Sequence, residues 1–424
     1  MVNELKRLMN SKKPVIVGMD AVSPLGIEMN EQWENAVHGK SGIGPLTRFD
    51  LPGGFPVHIA GQVDAIDHLP YDFLSLREQA KWTSPVFKYA LLTVSRALEK
   101  SNISITPKIA PRVGITYSSA IGGLDAVLAA DRKLMAEGKL SQPFVNPNAC
   151  VNMVGGKVSI LTGATGPISA TITACATGVT SMIVGAMLIA QNRADMVICG
   201  AVDFALVEPI VAGFATMNGA YVPKDGSKSE PPEKASRPFS KNRRGFVISE
   251  GAGCIVLASK DFAKAHGLHY STEIAGWAMT SDARHFVAPN FETVRRCISE
   301  CIDDAGINAE QVDAVNAHAT STRVGDKVEF DALDDVFKGK IPPVSANKSI
   351  IGHAMGASSA IESILAVTGM AEDTLLPTVN YTRDPELRLD CVSEGYRRLK
   401  QEYVLKNAFG FGGCNACVMF RRLT

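Results

Sequence analysis

The strongest constraint on the fold is a change of hydrophobic period that recurs along the chain. Short apolar, β-branched runs alternate with longer runs of helical spacing. Residues 14–19 (PVIVGM), 113–117 (VGITY), 168–173 (ISATIT), 195–202 and 253–258 read as strands. They are apolar or β-branched, as expected for strands buried on both faces. Helical spacing covers 30–38, 78–99, 123–136, 149–161 and 178–192. The second half repeats the alternation, with strands at 272–278, 312–317, 342–345 and 414–420 and helices at 291–305, 325–336 and 353–372. Two stretches of like pattern, broken near residue 260, predict a pair of α/β halves packed together, residues 1–260 and 261–424.

A length of 424 residues agrees, since it exceeds one ordinary domain. Lys plus Arg and Asp plus Glu are 43 each, so the charges cancel. No global attraction for nucleic acid or an anionic membrane is expected. Hydrophobic residues at 46% and charged residues at 20% exclude a disordered chain. The nine cysteines are odd in number and scattered, unlike a secreted disulfide framework.

The N-terminus, MVNELKRLMNSKKP, mixes charges, and the following PVIVGMDAV carries Asp20, so neither reads as a signal segment. Residues 157–193 hold no charge between their ends, but the continuous apolar part, 182–190, is far below the ~20 residues a membrane span needs. A soluble protein of the reducing cytoplasm is the expectation. Residues 223–236 (PKDGSKSEPPEKAS) read as an exposed loop. Cys414 and Cys417 have CxxC spacing but lie in an apparent strand without a second pair, so no metal site is expected.

Chemistry gathers at the ends of the strand runs. Cys175 stands between a β run ending at Thr173 and a helix beginning after Gly178. The positive end of that helix favours a thiolate there, and Ala174, Ala176 and Gly178 permit a tight elbow. His318 follows a β run and opens a Ser/Thr-rich turn. His353 follows another and starts an Ala-rich helix, five residues after Lys348. In α/β sheets, active sites gather at the carboxyl ends of strands. Each of the three taken alone reads as a buried structural residue; three in one chain point to a site. The segment NAFGFGGCNACVMF packs two Phe and three Gly into a turn that could supply N–H donors to an oxyanion, or simply close a hairpin.

The motifs TACATG (173–178), NAHATST (316–322), NKSIIGH (347–353) and NAFGFGG (407–413) stand in this order. They resemble the β-ketoacyl synthases, the elongating β-ketoacyl-acyl-carrier-protein synthase II type above all. PVIVGMDAVSPLG, SSAIGGLD, PNACVNM and RPFSKNRRGFVISEGAGCIVL extend the resemblance over nearly the whole chain.

The resemblance implies a thiolase-like fold, two similar αβαβα halves in a five-layer sandwich, as a homodimer or as a heterodimer with a related subunit. It implies that Cys175 accepts an acyl chain from a thioester, while His318 and His353 promote decarboxylation of a malonyl thioester and stabilise the enolate. Lys348 stands with this catalytic set, forming a supporting ion pair with Glu329, and Asp326 is a second supporting acid. Backbone N–H groups of Cys175 and Phe411 form the oxyanion hole, and Phe409 and Phe411 form an aromatic gate. Thr320 and Thr322 hold the pantetheine arm, and Ile121 lines the acyl channel. No resident cofactor is implied, because the phosphopantetheine arm arrives on an acyl carrier protein.

The departures from the family pattern are Ala319 for Gly after the first histidine, Cys414 for Thr, Val287 for Thr in a shortened loop, and Asn146 for an apolar residue. The carrier-docking segment LREQAKW keeps Arg77 and Lys81 but has Ala80 for a basic residue, and Asn218 replaces an Arg near the entrance. Carrier docking depends on such charges, so altered carrier preference is expected. The competing readings are a thiolase using Cys414, a chain-length partner subunit, and an initiating variant that takes a short acyl-CoA.

Overall fold

The computed structural model describes residues 13–68, 74–223 and 230–423. Part of the mixed-charge N-terminus and residues 224–229 of the expected loop lie outside them. Nine strands form one mixed sheet: β1 (Val15–Val22), β2 (Val113–Ser118), β3 (Met196–Phe204), β4 (Glu250–Ala258), β5 (Thr272–Ser281), β6 (Ala314–Asn316), β7 (Val344–Ser345), β8 (Tyr403–Gly410) and β9 (Cys414–Arg422). Their order is β2-β3-β4-β1-β5-β9-β8-β6-β7. A single pair, Val15 with Glu273, joins β1 to β5.

On either side of that joint the pairing repeats. The first part runs β2 parallel to β3, then antiparallel to β4 and β1. The second runs β7, β6 and β8 in parallel, then antiparallel to β9 and β5. Every residue of β3 and β4 is buried, which is why those runs carry no polar alternation.

Six helices cover the sheet in three layers. The helices α1 (Pro85–Ser101) and α2 (Met153–Thr162) lie on the outer face of the first part, over Ile115, Met196 and Val256. On the outer face of the second part, α4 (Phe291–Ala305) and α5 (Arg323–Val336) cover Val315, Leu405 and Met419. Between the two parts lie α3 (Thr177–Ala190) and α6 (Met355–Ala371). Their side chains Met182, Ile183, Ile361 and Ile364 share one core with Val197, Leu257, Val404 and Val418. A helix buried on all sides must be apolar all round, and α3 carries no charge. Each of the fully buried Met182 and Ile183 side chains contributes about 1.5–3 kcal/mol by leaving water. The five layers match the expected sandwich.

Several elements differ from their expected spans. Residues 168–173 form no strand beyond one parallel bridge, Ile168 with Ile115. Pro167 has no N–H to extend the ladder, and Ile168 and Ile172 are exposed. The helix expected at 78–99 splits into Leu76–Gln79 and α1, because Pro85 cannot continue a helix but can start one. The helix expected at 149–161 is likewise two, Val145–Ala149 and α2. That expected at 353–372 is preceded by a turn, Lys348–Ile351, which Gly352 ends at φ 69°. Strand β8 and the helix Glu208–Thr216 are new. In β8 the polar pair Lys406 and Asn407, both fully buried, conceals a strand whose other residues are apolar or aromatic.

The two central helices touch backbone to backbone. A Cβ on Gly178 would lie 2.5 Å from Ala360 N and 2.8 Å from Ala360 Cβ. Gly178→Ala should therefore lower stability by about 1–3 kcal/mol, read as a lower urea midpoint at constant slope. An unchanged midpoint would show that α3 and α6 separate at no cost.

Candidate active site

Cys175 lies in a single 3-10 turn, Ala174–Ala176, that leads into α3. Ala174 takes a left-handed conformation, φ 48°, which gives the sharp elbow expected of this segment. Strand β8 passes just beneath it: a Cβ on Gly410 would lie 2.3 Å from Thr173 O, so only glycine fits. This approach brings NAFGFGG to TACATG, and the N–H groups of Phe411 and of Cys175 itself point at the thiol sulfur.

His353 is pinned by its backbone on both sides. Its N–H donates to Val247 O at 2.7 Å, and its C=O accepts from Ser249 N at 2.9 Å. Its Nε2 lies 3.1 Å from Cys175 Sγ, and its Nδ1 lies 3.1 Å from Ser358 Oγ. His318 stands beside it, ring centroids 5.8 Å apart at 84°. The N–H groups of His318 and Ala319 donate to Glu329 at 2.8 and 2.7 Å, and Asn407 Nδ2 donates to the same carboxylate at 3.0 Å. Ala319 avoids the left-handed region and so replaces glycine without strain; Ser321 occupies it instead, at φ 68°.

The expected Lys348–Glu329 ion pair does not form. Lys348 Nζ donates to His318 O at 2.7 Å and to Glu362 Oε1 at 2.6 Å. Glu329 is occupied by the backbone N–H groups instead. Lys348 is buried behind His318 and does not line the cavity, so it positions His318 rather than touching a substrate. Asp326 accepts from Phe239 N at 2.8 Å and Thr322 N at 3.3 Å, which fixes the turn after His318.

Burial rules the protonation states. It pushes the Cys175 thiol up to about 11, against the Lys348 charge and the Phe411 N–H, which both favour the thiolate. The thiolate expected from the helix N-terminus is thus not the resting form, because desolvation outweighs the dipole. Burial, then the charge on Lys348, holds both imidazoles well below their usual range, and Lys406 adds to this. At neutral pH the site is a thiol beside two neutral imidazoles.

A cavity of about 690 Å³ opens onto these groups. Cys175, His318, His353, Ile121, Thr320, Thr322, Phe409 and Phe411 all line it, so the expected lining residues come together. The hydroxyls of Thr320 and Thr322 are 3.0 Å apart, and Thr322 Oγ1 also caps α5 at Gly325 N. Asn218 and Val287 lie on the wall, whereas Asn146 and Cys414 do not.

Sequence reasoning missed four groups here. Phe214 and Phe246 complete a chain of rings, with Phe214 6.4 Å from Phe411 and Phe246 5.3 Å from His353. Glu362 and Asp203 are buried acids. Asp203 accepts from Ser119 Oγ at 2.7 Å, from Ala120 N and Ile121 N at 3.0 Å, and from Ala357 N at 3.2 Å. It thereby ties the loop after β2 to the start of α6. The signal was a lone acid inside an apolar run, in VICGAVDFAL and in AIESILAV.

Because the thiol is held up, alkylation of Cys175 by iodoacetamide, followed through the mass of its own peptide, should keep rising with pH. The thiolate fraction grows about tenfold per pH unit below the pKa. A plateau near neutral pH would instead show a resting thiolate–imidazolium pair.

Two family models cover the chain: the N-terminal domain of beta-ketoacyl synthase matches residues 12–263, and its C-terminal domain matches residues 271–382. The 3-oxoacyl-[acyl-carrier-protein] synthase 2 of Coxiella burnetii is 36% identical over 423 residues, which is 98% of this chain and 100% of that protein. The protein of the same name from Staphylococcus aureus (strain COL) is 35% identical over 421 residues, 97% and 99% of the two chains. Among solved structures, a beta-ketoacyl synthase of Burkholderia phymatum superposes with TM-score 0.87 at 28% identity, covering 97% of this chain and 100% of that one. A type II polyketide ketosynthase, solved with its acyl carrier protein and a bound hexaketide, gives TM-score 0.87 at 26% identity, covering 97% and 99%. Matched by family models in both halves and by relatives along nearly its whole length, this chain belongs to the beta-ketoacyl synthase family.

Proposed function

We propose that the protein catalyses a decarboxylating Claisen condensation, joining an acyl group on Cys175 to a malonyl thioester and lengthening the chain by two carbons in fatty acid or polyketide-type synthesis. The observation that carries this is Cys175 Sγ, 3.1 Å from His353 Nε2, with His318 alongside at one end of an apolar-walled cavity. In the loading step the Cys175 thiol passes its proton to His353 as sulfur attacks the incoming thioester. The carrier thiol leaves with that proton, and the tetrahedral oxyanion is held by the N–H groups of Cys175 and Phe411.

The malonyl thioester then binds on the histidine side. Its C–C bond to the carboxylate breaks, carbon dioxide leaves, and the electron pair becomes an enolate whose oxygen accepts N–H bonds from the two neutral imidazoles. Neutral rings suit this step, since each donates a hydrogen bond without adding a full charge that must later be discharged. The enolate carbon attacks the Cys175 thioester carbonyl, the C–S bond breaks, and sulfur leaves as a thiolate that takes a proton from solvent.

The pantetheine arm is part of the substrate in this reading, held at Thr320 and Thr322, and no resident cofactor or metal is called for. Residues 1–260 supply the nucleophile and residues 261–424 both histidines. An acyl carrier protein is the partner, supported by the carrier-bound polyketide relative. The docking patch is thin: Lys81 is held by Glu78 at 2.6 Å, and Lys157 takes the same carboxylate at 2.7 Å. Arg77 remains for an acidic carrier, which supports the expected shift in carrier preference. Among the described residues no helix is long and apolar enough to cross a membrane, which is compatible with a cytoplasmic site. Cys414 stands off the cavity wall, so the geometry does not favour a thiolase.

Incubation with acyl carrier and malonyl carrier should give an acyl adduct on Cys175 and a product two carbons longer, both read by mass. Cys175→Gln should abolish condensation and spare malonyl decarboxylation, while His353→Ala should depress both by at least about 100-fold. Condensation surviving in Cys175→Gln would sink the assignment.

A homodimer is part of the same proposal. The segment 167–169 bonds to Ile115 on one side only, while Ile160, Ile168 and Ile172 expose 73%, 53% and 44% of their surfaces beside it. An apolar sheet edge of this kind needs a cover, and a second copy supplies an identical edge. Ile168→Asp should shift the sedimenting species from dimer to monomer; a monomeric parent chain would refute the dimer.

A further inference from the structure

The mechanism above leaves the buried charge of Lys406 unused. Lys406 sits in the middle of β8, fully buried, three residues before Phe409, and it does not line the cavity. Its Nζ donates to Glu362 Oε2 at 2.6 Å, while Lys348 takes Oε1 of the same carboxylate at 2.6 Å. Two lysines thus share one glutamate inside the central layer; these three groups sum to one positive charge, and the Glu329 carboxylate is the next charge that Lys406 meets. Burying a second ammonium here is costly even beside carboxylates. The cost shows on Lys406 itself, whose ammonium burial brings down to about 8 despite the pull of Glu362.

The two ammonium groups sit directly behind the reacting groups. Lys348 Nζ bonds His318 O at 2.7 Å, and both imidazoles feel Lys348 and Lys406 as repulsive charges. The charged groups that act on Lys406 are Lys348 and the carboxylates of Glu362 and Glu329. Asn316 faces Lys406 across β6 and Val418 across β9. Glu362 comes from α6, and the Glu329 carboxylate from α5, which accepts the N–H groups of His318 and Ala319, also attracts the Lys406 ammonium. Around the imidazoles stand Cys175, Ser358, Phe246 and Phe409, none of them a neutralising acid. Asp203 lies on the far side of the elbow, bonded to Ala357 N.

We propose that Lys406 is a positioning residue for the condensation: by taking the second oxygen of Glu362 it leaves the Lys348–Glu362–Lys406 cluster cationic, and so keeps His318 and His353 neutral at acidic pH. The inference rests on the reading of those histidines as neutral hydrogen-bond donors. The sign follows from linkage. Activity needs the uncharged rings and is lost as pH falls through their pKa. A positive neighbour lowers that pKa, so removing the charge must move the acid limb to higher pH.

The test compares the full-length protein with Lys406→Met, Lys406→Arg and the double variant Lys406→Met/Glu362→Gln. Condensation is measured against pH with acyl and malonyl carriers, and the imidazoles are titrated in parallel by NMR on protein labelled in its histidine rings. Lys406→Met should raise the acid limb of kcat, and the titration of both rings, by about one pH unit or more, with KM for the acyl carrier unchanged. Lys406→Arg keeps the charge and should keep the limb. The double variant restores one net charge, on Lys348 alone, and should return the limb toward that of the parent.

A folded Lys406→Met protein with the parent's acid limb would overturn the proposal. If that variant does not fold, a folded double variant with a raised limb would do the same. Imidazoles of the parent chain titrating at an ordinary histidine value, about 6.5, would overturn it without any variant. A parent chain that fails to condense would refute the functional reading instead, and the NMR titration would still report on Lys406.

Discussion

The contact between α3 and α6 is the constraint on which the rest depends. Cys175 enters from the N-terminus of one helix and His353 from the segment leading into the other. The 3.1 Å between them is set by how closely the helices approach. Gly178 against Ala360 makes that approach possible, and an apolar core on both sides of the pair makes it favourable. Strand pairing then fixes the third participant. Because β6 lies beside β8, and β8 must pass under the elbow at Gly410, the loop that follows β6 delivers His318 to the same point. The site is a consequence of the sandwich rather than an addition to it.

Burial on this scale creates an electrostatic problem, and the molecule answers it in two ways. Where a loop must be held, a buried acid accepts backbone N–H groups: Asp203 for the loop after β2, Glu329 for His318, and Asp326 for the turn beyond it. Burial raises all three, Asp203 to about 6 and Asp326 to about 7. The reacting groups take the opposite course. Their resting state is neutral, a thiol and two imidazoles, so desolvation costs them little until a proton moves. Positive charge lies behind them, on two lysines that do not line the cavity.

What could be read from the sequence follows from this division. The layered fold was legible because β3, β4 and α3 are apolar along most of their length. Cys175 and both histidines stood out together because three such residues gather at the ends of apolar runs, and the motif resemblance gave them their expected roles. Their supporting acids were harder. Glu329 was recognised but given the wrong partner, since sequence spacing does not say whether an acid meets a lysine or a backbone N–H. Glu362 lies inside a run that reads as ordinary buried helix, and its partner Lys406 lies inside a strand that the same lysine concealed. A buried ion cluster breaks the hydrophobic pattern in each element that contributes to it, so the pattern fails at both places for one cause.

The edge at 167–173 failed for the opposite reason. Its residues are apolar and β-branched, as a buried strand requires, yet only one bridge forms within the chain and its isoleucines face outward. Propensity describes a surface that will be covered and is silent on which chain covers it. A second copy placed against that edge would give ISATIT the burial its composition calls for. It would also act on the catalytic elbow, because the segment runs directly into Thr173 and Cys175, and the loop after β2 that carries Ile121 is tied to the same region through Asp203. An interface there would stiffen the Cys175 turn and the cavity wall together.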